Sequence, residues 1–229
     1  MQGNYEILRA GQDVAFEQNR VLRNTYALLA LSMVPTVIGA LIGVQLNFAF
    51  MAKSPFMALF LFLGVTWGLI WGIQRTKDSG WGVVMLLVFT FVMGLMLAPT
   101  LQMALGFANG GSLIALAAGG TGAIFFVLAG VASTTKRDFS GLGKFLFAGL
   151  ILLIIAGLAN MFFQIPALYL AFSAVAILIF SGYILFDINR IVHGGETNYI
   201  TATLAVYLDI YNIFVNLLNL LMAFSGDRD

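Results

Sequence analysis

The sequence predicts an all-α integral membrane protein of seven transmembrane helices, and three observations predict it. Of 229 residues, 61% are hydrophobic and only 9% are charged, against about 45–50% apolar and about 25% charged in an ordinary soluble domain. The apolar residues fall into seven continuous runs, each near the roughly 20 residues that a helix needs to cross a bilayer. The basic residues cluster in alternate connections between those runs, as an odd number of crossings requires.

The runs are 26–48, 56–74, 80–99, 113–133, 145–164, 167–189 and 201–224. Residues 1–25 are polar, mixed in charge and without the apolar stretch of a signal peptide, so they read as a retained, partly helical cytoplasmic tail. The first run is then an uncleaved anchor, and Pro35 inside it is expected to kink it. Ser54-Pro55 looks like an N-cap followed by proline at the first helical position. Pro99 is expected to end the third run, and Gly110-Gly111-Ser112 to precede the fourth. Gln164-Ile165-Pro166 makes a tight hairpin between the fifth and sixth. Residues 26–224 form the membrane domain, and 225–229 a short tail.

Charge sets the orientation. Arg9, Arg20, Arg23, Arg75, Lys77, Lys136, Arg137, Lys144 and Arg190 fall on one side, and Lys53 and Arg228 on the other. The basic side is cytoplasmic by the positive-inside rule, which places the N-terminus inside and the C-terminus outside. The net charge of +1 offers no bulk electrostatic partner. The composition excludes a soluble enzyme, a disordered chain and a nucleic-acid binder, which needs a basic face. Cysteine is absent, which removes disulfides, thiolate metal sites and cysteine nucleophiles. An outer-membrane barrel alternates apolar and polar residues, and these runs do not.

Two of the ten acids lie inside apolar runs: Asp187, near the inner end of the sixth, and Asp209, about two turns into the seventh. A carboxylate there costs a few kcal/mol, which makes it a functional candidate, or for Asp187 a wetted helix end. The connection between the two runs is short, so both acids occupy the inner half of the membrane on antiparallel neighbours. Two such carboxylates cannot both ionise cheaply and are expected to share a proton, a plausible switch. Arg190, three residues after Asp187, is a candidate partner or a simple cytoplasmic anchor. Asp209, Asn212, Asn216 and Asn219 line one helix face. A polar stripe of that length cannot face lipid, so the seventh helix is expected to be central, with the other six around it. The asparagines are either interhelical glue or the lining of a pathway.

Gly39/Gly43 and Gly64/Gly68/Gly72 have the four-residue spacing that lets helices approach closely. His193 stands alone with Glu196 across two glycines, too few ligands for a metal site. No Gly-x-Ser-x-Gly elbow is present. Paired membrane aspartates also suggest an intramembrane aspartyl protease. However, presenilin-like proteases carry Gly-x-Gly-Asp at the second acid, where this chain has Tyr207-Leu208-Asp209, and Pro166-Ala167-Leu168 precedes both acids instead of following them. No catalytic residue and no cofactor are expected.

At these residues the chain resembles the Bax inhibitor-1/YccA family. The resemblance covers most of the chain. It is strongest at Val21–Tyr26, at Thr134–Asp138, at Phe186-Asp187 with His193-Gly194-Gly195-Glu196-Thr197-Asn198-Tyr199-Ile200, and at Tyr207–Val215. The resemblance implies a seven-helix bundle whose last helix is surrounded by the other six. It implies a pH-sensitive Ca²⁺ leak channel of a bacterial inner membrane, latched by Asp187 and Asp209, with transient Ca²⁺ contact and with Arg75 as a further candidate at the latch. The YccA branch also implies binding and modulation of the membrane protease FtsH, gripped through the N-terminal tail.

Overall fold

The computed structural model describes residues 2–46 and 55–226, with side chains described from residue 16 onward except at 55 and 58. Ser54 as an N-cap, Lys53 and Arg228 as orientation markers, and the end of the C-terminal tail lie outside the described residues, as does the side chain of Arg9. Among the described residues there are seven helices: α1 (Gln2–Gln45), α2 (Pro55–Thr76), α3 (Gly80–Leu105), α4 (Gly110–Thr134), α5 (Leu142–Phe163), α6 (Pro166–Val192) and α7 (Tyr199–Gly226). All seven are long and apolar enough to span a membrane. Large apolar side chains such as Phe60, Phe145 and Leu178 are more than 70% exposed, an apolar coat suited to lipid. Lipid tails are as apolar as these side chains, so close packing and polar contacts hold the helices together rather than water exclusion.

The ends depart from the sequence reading in places. α1 is unbroken from Gln2 through Pro35, so the tail and the first span are one helix of 44 residues. α3 runs six residues past Pro99. Proline removes one N–H and frees the carbonyl of Leu95, and Gly43 of α1 packs against that carbonyl, so a neighbouring helix supports the gap. α4 starts at Gly110 and includes the glycines expected to precede it. The α5–α6 hairpin turns at Gln164, which takes a left-handed φ of 50°. Asn160 Oδ1 accepts the N–H of Ile165 at 3.0 Å and closes the turn.

The two glycine stripes have different fates. A Cβ on Gly39 would collide with the carbonyl of Phe91, and one on Gly94 with the carbonyl of Thr36, so α1 and α3 cross backbone to backbone. Gly64 and Gly68 meet nothing within 4 Å, and only Gly72 touches a neighbour, Met85. α7 packs against α1, α2, α3, α4 and α6. Among the described residues α5 packs chiefly on α6, through Gly143 under Phe186, Gly149 under Ile179 and Gly182 under Leu146, with Phe162 also meeting Phe56 of α2. Among the described residues, five helices rather than six contact α7.

The core divides along its length. One apolar cluster joins Leu28, Phe89, Ile184, Ile188, Tyr207 and Ile213. A second joins Leu97, Leu101, Leu113, Ala117, Leu218 and Met222 at the other end of the bundle. The connections that carry Lys77, Lys136 and Arg137 gather with residues 193–198 at the end nearer the first cluster, called the basic end below.

Candidate functional site

α6 and α7 are joined by a short loop that stops one helix and starts the next with its own side chains. The His193 ring Nδ1 lies 2.9 Å from the Asn189 carbonyl. Gly194 takes φ 76°, a left-handed value that glycine adopts without strain, and lets Gly195 N–H reach the Arg190 carbonyl at 2.8 Å. Glu196 Oε1 accepts the N–H groups of Thr197 and Asn198. Asn198 Oδ1 then accepts those of Ile200 and Thr201, as an N-cap does. Its Nδ2 donates to the Lys77 carbonyl and to Asp78, which ties in the α2–α3 turn. Asn189 does the same for the α4–α5 connection: buried, it accepts from Phe139 N–H and donates to the Arg137 carbonyl, both at 2.9 Å. His193 is thus a helix-end residue, and among the described residues no group of three or more potential ligands is present to hold a metal.

This packing fixes the loop ends of α6 and α7 and brings Asp187 near Asp209. Asp209 is 5% exposed and Asp187 is half-buried. Their carboxyl groups lie within hydrogen-bonding reach of each other. Asp209 Oδ2 is fully buried and meets no donor among the described residues. A carboxylate only accepts, so the contact requires a proton on one of the two acids. The geometry can therefore hold one proton between two helices, and losing it leaves two like charges in a low-dielectric interior.

The candidate partners fall apart. Arg190 Nε donates to the Gly195 carbonyl at 3.0 Å and its guanidinium sits 3.7 Å from Glu196, so it clasps the loop. Arg75 is turned away, exposed, with its guanidinium 4.8 Å over the ring of Trp71. The asparagines of α7 share the Asp209 face, and the hydrogen bonds of Asn212 and Asn216 among the described residues stay within the helix. Asn212 Nδ2 donates to the Leu208 carbonyl and Asn216 Nδ2 to that of Asn212, each at 2.8 Å within the helix. Asn216 is buried; Asn212 and Asn219 are half-buried.

Sequence reasoning missed a second polar cluster beside the acids. Tyr207, two residues before Asp209, is fully buried, and its hydroxyl meets Thr36 Oγ1 at 2.9 Å and the Thr90 carbonyl at 3.4 Å. It joins α1, α3 and α7. Its only signal in the sequence is a tyrosine one residue off the stripe. A cleft of about 320 Å³ opens at the basic end, walled by Asp138, Phe186, Asn189, Arg190 and His193. Hydrogen bonds from the Ser140 N–H and hydroxyl hold the Asp138 carboxyl there below the usual carboxylate range.

Residues 18–226 match the family described as "Inhibitor of apoptosis-promoting Bax1". The chain is 44% identical over 209 residues to an Escherichia coli protein named "Modulator of FtsH protease YccA", covering 91% of this chain and 92% of that one. It is 42% identical over 205 residues to an "Uncharacterized membrane protein" of Vibrio cholerae, with 90% of each covered. A protein of Pseudomonas aeruginosa is 40% identical over 211 residues, 92% of each chain.

Proposed function

The chain belongs to the Bax inhibitor-1 family, and on that footing we propose that it modulates a membrane-bound protease of the FtsH kind in a bacterial inner membrane. The observation that carries this reading is the 44% identity, over nearly the whole of both chains, with a protein named for that role. Physical support comes from α1. At about 1.5 Å per residue its 44 residues extend roughly 66 Å, against about 45 Å for a bilayer with its headgroups. Its amino-terminal turns therefore project beyond the membrane as a handle, on the cytoplasmic side if the basic end faces inward. Residues 1–25 are the tail and 26–224 the membrane domain in this reading. Crosslinking in native membranes should capture protease subunits with the full chain and lose them when residues 2–15 are removed. Recovery of no protease subunit from membranes that keep the protease complex intact would overturn it.

A second reading is favoured by the contact between Asp187 and Asp209: a slow, pH-controlled cation leak. With one shared proton, the carboxyl pair ties α6 to α7. Without it the two charges repel, the helices loosen, and carboxylate and amide oxygens become available to a hard cation such as Ca²⁺. Among the described residues, Arg190 and Glu196 also act on Asp187, and Asp187 acts on Asp209. Purified protein in liposomes with a trapped calcium dye should leak more as pH rises from mildly acidic to mildly alkaline. Leak no greater than that of empty liposomes at every pH sinks this reading and leaves the first intact.

A further inference from the structure

The cleft at the basic end serves neither reading. It encloses about 320 Å³ between the last turns of α6 and the connection from α4 to α5. Its wall sets opposite chemistries side by side: a carboxylate on Asp138, a guanidinium on Arg190, an imidazole on His193 and an aromatic ring on Phe186. Hydrogen bonds hold the polar groups in place. The Ser140 N–H and hydroxyl donate to Asp138 at 2.8 and 3.0 Å, which favours its ionised form. His193 Nδ1 faces the Asn189 carbonyl at 2.9 Å. A carbonyl only accepts, so Nδ1 carries the proton of the neutral ring and Nε2 is left as an acceptor. Asp138 and His193 are near enough for their charges to interact. Two acceptors therefore stand together on one side, and the donors of Arg190 share the same enclosed space.

The cleft stands where the bundle leaves the apolar layer. Phe186 lies six residues before the end of α6, about 9 Å along its axis. A Cβ on Gly143, in the first turn of α5, would meet the Phe186 ring at 2.9 Å, so this ring closes the cleft against α5. Two residues on, Phe145 is 73% exposed and belongs to the coat suited to lipid tails. Tyr183 and Phe180 continue from Phe186 along α6, with successive ring centroids 6.5 and 6.3 Å apart, and all three side chains are half-buried. A ladder of rings therefore runs from the polar cleft into the apolar zone. A ligand with a charged head and apolar chains meets a matching surface at both levels.

We propose that this cleft binds the headgroup of phosphatidylethanolamine, an aminophospholipid taken from the surrounding bilayer. Its primary ammonium donates to the Asp138 carboxylate and to His193 Nε2, against the face of the Phe186 ring. Its phosphate accepts from Arg190. The Arg190 Nε is held by the Gly195 carbonyl and one Nη lies 3.7 Å from Glu196, which leaves donors of the five-donor guanidinium for the phosphate. The acyl chains follow the rings of Tyr183 and Phe180. The same wall discriminates among lipids. Phosphatidylcholine has the same charges but no N–H to give the two acceptors. Phosphatidylglycerol has no cation for Asp138. The inference is independent of both the protease reading and the leak reading.

Native mass spectrometry of the purified full chain reads the preference directly. Phosphatidylethanolamine, phosphatidylcholine and phosphatidylglycerol with identical chains are supplied together in equal amounts. The unaltered protein should retain phosphatidylethanolamine about tenfold over either competitor, the size expected of a charged hydrogen bond. Asp138→Asn keeps an oxygen for the Ser140 donors but removes the charge, and should bring phosphatidylethanolamine and phosphatidylcholine close to parity. Asp78→Asn changes an acid of the α2–α3 turn that does not wall the cleft, and should keep the preference. The readout is a ratio within one sample, so a general loss of stability does not imitate it. Equal retention of the three lipids by the unaltered protein, or a preference that survives Asp138→Asn, overturns the site. Loss of the preference in Asp78→Asn as well makes it a bulk charge effect and overturns the site too. Glycerophosphoethanolamine, the same headgroup without chains, should displace the lipid only at about hundredfold excess or more, because it buries no chain. Displacement by an equimolar amount overturns the bilayer as the source.

Discussion

The loop and the interior of the α6–α7 hairpin treat polar groups in opposite ways. From Asn189 to Thr201 the polar side chains are spent on backbone groups: Asn189 on the α4–α5 connection, Glu196 and Asn198 on the start of α7, Arg190 on Gly195. Within the same two helices, Ser173 and Asp209 keep buried oxygens with no partner. A satisfied polar group holds structure. An unsatisfied one in an apolar interior is a standing cost, kept where something other than stability is served. The loop's polar groups are spent on structure, and the interior's are the ones the proposed switch would use.

Asn189→Ala should break the loop side most severely. It removes two hydrogen bonds and leaves the Phe139 N–H and the Arg137 carbonyl without their partner, about 2–4 kcal/mol of stability, read as a lowered thermal midpoint in detergent. Gly194→Ala is next, about 1–2 kcal/mol, because φ 76° places an alanine Cβ in the left-handed region. Asp138 contributes less and with a defined pH sign. Its folded-state pKa is lowered by the Ser140 hydrogen bonds. Its contribution is therefore complete above the ordinary carboxylate range near about pH 4, and fades as pH falls below it. Asp138→Asn should flatten that acid limb of the midpoint–pH curve. On the interior side, Asp209→Asn should leave the midpoint at neutral pH unchanged or raised. It keeps the size and offers Asp187 an amide donor in place of a shared proton. A midpoint lowered as far as that of Asn189→Ala would erase the distinction between loop and interior.

The sequence was informative where physics acts residue by residue along the chain. Apolar run length located all seven helices, and the short loop between the sixth and seventh made them antiparallel neighbours in the sequence already. Features set by rotation about a helix axis were not legible. Gly39/Gly43 and Gly64/Gly68 have the same spacing, yet only the first pair faces a neighbour. Arg75 lies at the expected end of α2 but on its exposed side, over Trp71. Pro99 read as a stop because the sequence does not show α1 lying against the freed Leu95 carbonyl. Thr121 and Ser173 look no different from Thr25 or Ser32, which donate to the carbonyl four residues back, until their buried hydroxyls are seen to lack a partner. Asn189 was hidden beside Asp187, because its partners lie about 50 residues away.

The most direct test of the shared-proton pair is the pH response of the calcium leak in Asp187→Asn, Asp209→Asn and the double variant, each in liposomes beside the unaltered protein. If the two acids act as one unit, either single change should abolish most of the pH response, because one remaining charge has nothing to repel. The double variant should then add little to either single one. Single variants that keep the full pH response of the unaltered protein would contradict the account, and would make Asp187 a wetted helix end rather than half of a switch.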